Sequence, residues 1–576
     1  PPATFTPGEQ RTRLTRLEAL QEAIERGVIQ DDPDGLAPER IVVFETNAPV
    51  QRILKAAALA GFPHFQELQD IEDDNDAEEE DSGALAQPDV RERRAALYVG
   101  LPNDAAVRSL VTLYQKWKAG ERQEINLGPF NELFKRLVDV RLWGPRDRLN
   151  DQDLDLLRAR VRHDPDAPLL IELELWPTRP ARDPTRLLEA AQTLGASLVD
   201  RANIAEDGFA YQALLVEIPG GAAATLVESL RDSAIGRSED VYSIGPASSG
   251  QTPRMAPARP TPPPAAAPFV ADAPLLAVLI DGSTIPNHAL LRGGVVVEDL
   301  FDRDGAIPVS ERRHATAMAS IILRGDLRGD RAPLDARLLS IPLLADRDGA
   351  AISDPRRLLL DQMHRALRRA MLGDEQGAPS APDAFVVNLS IGVADRVFAN
   401  RASGLARLLD WWSFKHGVLF VIAAGNCTEH LLVEGVNSIA FEDLDVAARA
   451  TATGLALIDA APRRALLAPA ECVNGLTVGA SASSSAPAQA PTSGMFHPYD
   501  GTDAPSIISR SGFGARGALK PDVLSPGGRP RARITAAGDD TRLRVMDVFR
   551  EEDALIAAAP PAGVLGPGIG PSYGTS

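Results

Sequence analysis

Three features predict an α/β domain built on a parallel sheet in the C-terminal half of the chain, preceded by α+β units. Continuous apolar runs recur at Leu275–Ile280, Ala384–Leu389 and Val418–Ala423, with amphipathic segments at Arg356–Met371 and Leu405–Phe414. Such uninterrupted runs suit strands buried on both faces, which is how crossover helices leave the strands of a parallel sheet. Upstream, shorter apolar stretches follow the order strand, helix, strand, strand, helix, strand, and that order occurs twice. Between the halves, Gly245–Pro268 is rich in Pro, Ala and Ser, and Pro262-Pro263-Pro264 reads as stiff and extended.

Taken in order, residues 1–38 form a helical lead-in, with Leu14, Leu17, Leu20 and Ile24 at helical spacing and a turn at 31–35. In the unit 39–150, strands are expected at Ile41–Phe44, Phe65–Leu68, Ala95–Val99 and Val138–Trp143. Helices capped by Asn47 and Asn103 and a helical stretch at Phe130–Leu137 lie between them. The unit 165–245 repeats the order. Leu169–Trp176 is a strand, Asp183-Pro184 opens a helix, and Ser197–Ile204 and Phe209–Ile218 form a hairpin about Asp207-Gly208. A helix at Ala222–Leu230 and a strand at Asp240–Ile244 complete the unit. Both units fit a split β-α-β, ferredoxin-like sandwich. A Pro/Ala-rich linker spans 246–270, and the α/β domain spans 271–576.

The 576 residues suffice for about three or four domains. A net charge of −19 argues against a nucleic-acid partner, because phosphate binding is dominated by Lys and Arg. No run of the length a membrane span needs is present, and the first residues carry no charged-then-apolar secretion signal. Cys427 and Cys472 show neither metal-ligand spacing nor a disulfide framework, and this pattern fits a cytoplasmic protein. The acidic run 70–81 lacks the alternating ligands and turn glycine of a calcium loop, so it reads as a solvated loop. A structural calcium ion therefore has no assignable ligands, no other metal site is expected, and no cofactor is required.

Sites in parallel sheets lie beyond the carboxyl ends of the strands, which directs attention to the polar residues that end each run. The first run ends in Asp281-Gly282-Ser283 and the third in Gly425-Asn426, while Arg313-His314-Ala315-Thr316 precedes a small-residue helix. Each has a structural explanation by itself: a turn, a buried histidine, a left-handed glycine. His288 is a second histidine of the same region. The chain ends in Gly574-Thr575-Ser576.

In the order Asp281, His314, Asn426, Ser576, these residues resemble the subtilisin-like (subtilase) serine proteases. Further blocks join the resemblance: Val386–Gly392, Gly417–Asn426, Asn474–Ala480, Ser511–Gly514 and Lys520–Gly527. The resemblance covers about Leu275–Ser576 and implies a serine endopeptidase acting on polypeptides. It implies Ser576 as nucleophile, His314 as base ahead of His288, and Asp281 orienting the imidazole. The Asn426 amide would donate to the oxyanion. Ser390, Ile391 and Gly392 would pair with extended substrate, and Ala423, Ala424 and Gly425 would wall the primary specificity pocket. A catalytically silent subtilase fold, acting as a binding or regulatory module, is the alternative.

Three departures stand out: Asp-Gly-Ser where the family more often has Asp-Ser/Thr-Gly, and Ala315 and Ser320 where glycines are usual. Residues 427–471 are a long insertion with no assignable chemistry. In the family the serine opens a buried helix, so a sequence stopping at Ser576 implies a piece of a longer protease that is inactive by itself. The unit 165–245 matches the ferredoxin-like prosegments of subtilases, which assist folding and occlude the cleft. The layout also resembles cytoplasmic bacterial subtilases encoded beside AAA-type ATPases, which would make such an ATPase a partner.

Overall fold

The computed structural model describes residues 41–46, 68–71, 94–100, 112–117 and 119. From 137 to 575 it describes all but 177–180, 182, 256–260, 271, 330, 394–395, 400, 485–494, 500–503, 547–550 and 562–567. The helical lead-in, the helix after Asn47, the acidic run from 72 to 81 and Ser576 lie outside the described residues. The chain divides into two units, Pro1–Ala247 with Ala399–Arg401, and Ser248–Phe398 with Ala402–Ser576.

In the first unit, strands β1 (Ile41–Thr46), β2 (Leu68–Ile71), β3 (Arg94–Gly100) and β4 (Leu137–Leu142) form an antiparallel sheet of order β2-β3-β1-β4. The second strand lies three residues beyond its expected start. A second antiparallel sheet, of order β6-β7-β5-β8, is made by β5 (Leu169–Leu175), β6 (Ser197–Glu206), β7 (Phe209–Ile218) and β8 (Val241–Pro246). Leu169, Ile171, Leu173 and Leu175 alternate along β5 and so share one face. That face is covered by Leu154 and Leu157 of helix α1 (Asp151–His163), Leu187 and Ala191 of α2 (Thr185–Thr193), and Ala223, Leu226 and Val227 of α3 (Gly220–Ser229).

The second unit begins with a strand where the composition suggested only linker. Strand β9 (Gly250–Gln251) belongs to a four-stranded sheet treated below. The centre of the unit is a seven-stranded sheet of order β11-β12-β10-β15-β17-β19-β23, parallel in every pairing. Its strands are β10 (Leu275–Asp281), β11 (Val295–Val297), β12 (Arg337–Pro342), β15 (Val386–Leu389), β17 (Leu419–Ala423), β19 (Leu476–Ser481) and β23 (Val523–Pro526). The three apolar runs are thus adjacent central strands, in the register Ala277↔Val386↔Leu419. Three helices cover the sheet: α4 (His314–Arg324), α5 (Leu359–Met371) and α6 (Gly404–His416). Helix α4 is held close by its small residues. Ala315, Ala317 and Ala319 are buried with Leu279, Leu338, Ala557 and Ala558 in one apolar cluster.

Two hairpin strands, β13 (Ala345–Arg347) and β14 (Ala350–Ile352), follow β12, and β16 (Gly392–Val393) follows β15. The 427–471 insertion supplies β18 (Leu431–Val433), α7 (Ser438–Asp443) and α8 (Val446–Asp459). Strand β18 joins β20 (Met495–Phe496), β24 (Ala532–Ala537) and β25 (Asp540–Val545) in an antiparallel sheet. The insertion is therefore a packed layer whose Leu431, Phe441 and Ala456 are core.

Candidate active site

Strands β10, β15 and β17 are parallel neighbours, so their carboxyl ends lie on one edge of the sheet and bring Asp281, Ser390 and the Gly425-Asn426 turn to that edge. Asp281 is the last residue of β10, and His314 is the first of α4. Both are buried. His314 Nδ1 lies 2.8 Å from Asp281 Oδ2 and 3.1 Å from Oδ1. A carboxylate only accepts, so Nδ1 carries the hydrogen and Nε2 is the basic atom of the ring. Nε2 is buried and has no hydrogen-bond partner among the described residues. The Gly282 N–H donates to Asp281 Oδ1 (2.6 Å).

His288, the rival histidine, is also buried, but backbone groups engage both its nitrogens. Nε2 bonds the Gly568 carbonyl (2.9 Å) and Nδ1 accepts from the Leu290 N–H (3.2 Å). Burial pushes its pKa down, so it stands as a neutral tie between loops.

A second carboxylate enters this cluster. Asp346 of the β13–β14 hairpin is buried, and its Oδ2 accepts from the Ser283 N–H (2.8 Å). A Cβ placed on Gly282 would lie 2.6 Å from Asp346 Oδ2. The inverted Asp-Gly-Ser order has its reason here, because only glycine leaves space for the carboxylate. Burial pushes the Asp346 carboxyl up to about 7 and the Asp281 charge adds to that, against the opposing influence of the Ser283 amide, His314 and Arg312.

The other two departures are accommodated in α4. Ala315 is fully buried, and the Ser320 hydroxyl accepts the Ala558 N–H (3.0 Å), serving a backbone donor that a glycine would leave without that partner.

Asn426 follows Gly425, whose φ of +98° favours glycine. The Thr575 N–H (3.1 Å) and hydroxyl (3.2 Å) both donate to Asn426 Oδ1, and the Gly425 N–H donates to Thr575 Oγ1 (3.1 Å). With Oδ1 held in this way, the Nδ2 end of the amide is the donor directed elsewhere. Thr575 and Asp346 were not singled out from sequence. The signal for Asp346 was the inverted motif, and for Thr575 its place next to the proposed nucleophile. Ser576 itself lies outside the described residues.

Of the residues expected to pair with substrate, Ser390 and Ile391 lie between β15 and β16, and Gly392 is already paired with part of this chain. Gln251 and Gly250 pair antiparallel with Gly392 and Val393 of β16, and Gln251 pairs with Ile352 of β14. The Thr252 N–H donates to the Ala351 carbonyl (2.9 Å), the Ser353 N–H to Gly250 O (2.8 Å), and the Ala351 N–H to Thr252 Oγ1 (2.8 Å). An extended peptide thus lies between two edge strands, bonded mainly through backbone groups.

Among the described residues, no group of three or more His, Cys, Asp or Glu side chains is placed to hold a metal, and no helix is long and apolar enough to cross a membrane.

Residues 272–556 match the family model described as the subtilase family. Among solved structures, the chain matches one described as a cold adapted subtilisin-like serine proteinase, with 17% identity and a TM-score of 0.24. The match covers 50% of this chain and 77% of that one. No curated protein matches the chain.

Proposed function

The chain is a subtilase, a serine peptidase by family, through residues 272–556, and on that premise we propose that Asp281, His314 and Ser576 hydrolyse peptide bonds through an acyl-enzyme. The observation that carries this reading is the buried His314–Asp281 pair, with Nδ1 held at 2.8 Å and Nε2 left as the base. Ser576 Oγ adds to the scissile carbonyl carbon as Nε2 takes its proton, and the carbonyl π electrons move to oxygen. The Asn426 amide and the Ser576 N–H donate to that oxyanion. As it collapses, the C–N bond breaks and the imidazolium gives its proton to the leaving amine. Water then attacks the Ser576 ester by the same route, releasing the acid.

Binding would use Ser390–Gly392 as a strand for extended polypeptide, with Ala423–Gly425 beside the carbonyl under attack. The Gly250–Thr252 segment supports the strand role at Gly392, where it is a backbone seated in that manner. We further read 165–245 as a ferredoxin-like, prosegment-like unit. The segment that follows it would then compete with substrate.

The test is hydrolysis of an unstructured polypeptide by the full protein and by D281N and H314A. Losses of about 10³-fold or more in kcat for both variants, with folding intact, are expected. Equal activity in H314A would overturn the assignment.

A further inference from the structure

We propose that Leu467 fills the primary specificity pocket and restricts the residue on the acyl side of the scissile bond to small side chains such as Gly, Ala and Ser. This rests on the peptidase reading above and adds to it a substrate class.

The 427–471 insertion ends in a segment knitted both to the pocket wall at Ala423–Gly425 and to β16, next to the expected substrate-pairing residues. The Val393 N–H donates to the Ala468 carbonyl (2.8 Å), and the Leu467 N–H donates to the Ala424 carbonyl (3.3 Å). The Leu467 side chain lies against a glycine of each, Gly392 and Gly425. A Cβ built on Gly392 would stand 3.0 Å from Leu467 Cδ1, and one built on Gly425 would stand 2.9 Å from it. One isobutyl group therefore lies against both glycines, and a Cβ on either would press on it.

Leu467 is only partly buried, so its side chain is not closed into the core. Gly425 immediately precedes Asn426, the proposed oxyanion donor. A side chain entering between Gly392 and Gly425 therefore belongs to the residue whose carbonyl is attacked. A branched, apolar side chain between Gly392 and Gly425 would admit a hydrogen or a methyl group beside it, while a benzyl group would meet Leu467.

The experiment compares kcat/KM for matched peptides carrying Ala or Phe before the cleaved bond, in the full-length protein and in L467A and L467G. The wild type is expected to favour Ala by at least about tenfold. Both variants should raise the Phe-to-Ala ratio by at least about tenfold, L467G more than L467A. A wild type that cleaves the Phe peptide as well as the Ala peptide, or a ratio unmoved in the variant that remains folded, would overturn the proposal and leave the peptidase reading standing. If the wild type cleaves no peptide and takes up no serine-reactive phosphonate, the peptidase reading fails and the specificity proposal falls with it.

Discussion

Gly282 and Asp346 compete for one space, because the Asp346 carboxylate stands where a side chain on residue 282 would begin. The motif order Asp281-Gly282-Ser283 and the hairpin carboxylate are thus a single adaptation, with the Ser283 N–H bonded to Asp346. Replacing Gly282 by Ser forces the carboxylate aside and breaks that bond. G282S is expected to lose roughly 1–3 kcal/mol of stability. In G282S/D346A much of that loss should return, giving a favourable coupling in a double-mutant cycle read by urea unfolding. Strict additivity would show that the two sites do not share the space.

Asp346 also makes stability depend on pH. Its ordinary value is 3.8, and in the folded protein it is pushed up to about 7. Between those values the folded state holds a proton that the unfolded state has released, so this group's contribution falls as pH rises through that window. Asparagine keeps an acceptor for the Ser283 N–H and never ionises. The melting temperature of D346N minus that of the wild type should therefore increase from pH 4 to pH 8. A difference that is constant or decreases over that range would contradict the assignment.

Ser320 occupies a family glycine position and is tied to Ala558. S320A removes the acceptor and leaves a buried amide unpaired, at an expected cost of roughly 1–3 kcal/mol. S320G adds the helix-interior penalty of glycine, about 1 kcal/mol. Chemical denaturation should rank wild type, S320A and S320G in falling order. A glycine variant as stable as wild type would show that the Ala558 amide has another partner.

Thr252 contributes a backbone N–H and a hydroxyl to Ala351. Proline at this position deletes both bonds, weakening the seated segment by roughly 2 kcal/mol. If that segment excludes substrate, T252P should lower KM for a long peptide by about tenfold or more, with a smaller change in kcat. An unchanged or raised KM would mean that substrates do not use the strand edge occupied by Gly250–Thr252.

Much of the central architecture was legible because burial on both faces of a strand demands a continuous apolar run. Leu275–Ile280, Ala384–Leu389 and Val418–Ala423 therefore announced β10, β15 and β17 within a few residues. The pairing of Asp281 with His314 followed from motif order, and the geometry of His288 accounts for the ranking of the two histidines. Strand β9 was not legible. It is two residues long in a proline-rich stretch, and its strand character comes from β14 and β16 on either side instead of from its own side chains. Asp346 resembled an ordinary turn aspartate in Ala345-Asp346-Arg347-Asp348-Gly349, since nothing local shows that the chain returns it to Gly282. Leu467 was hidden for the same reason: its partners, Gly392 and Gly425, are distant in sequence.

Identification by mass spectrometry of the residue that a fluorophosphonate modifies in the full-length protein tests the proposed chemistry most directly. A single adduct on Ser576, abolished in H314A and strongly reduced in D281N, is the predicted result. An adduct on another serine, or labelling of Ser576 that persists at the wild-type rate in H314A, would contradict it.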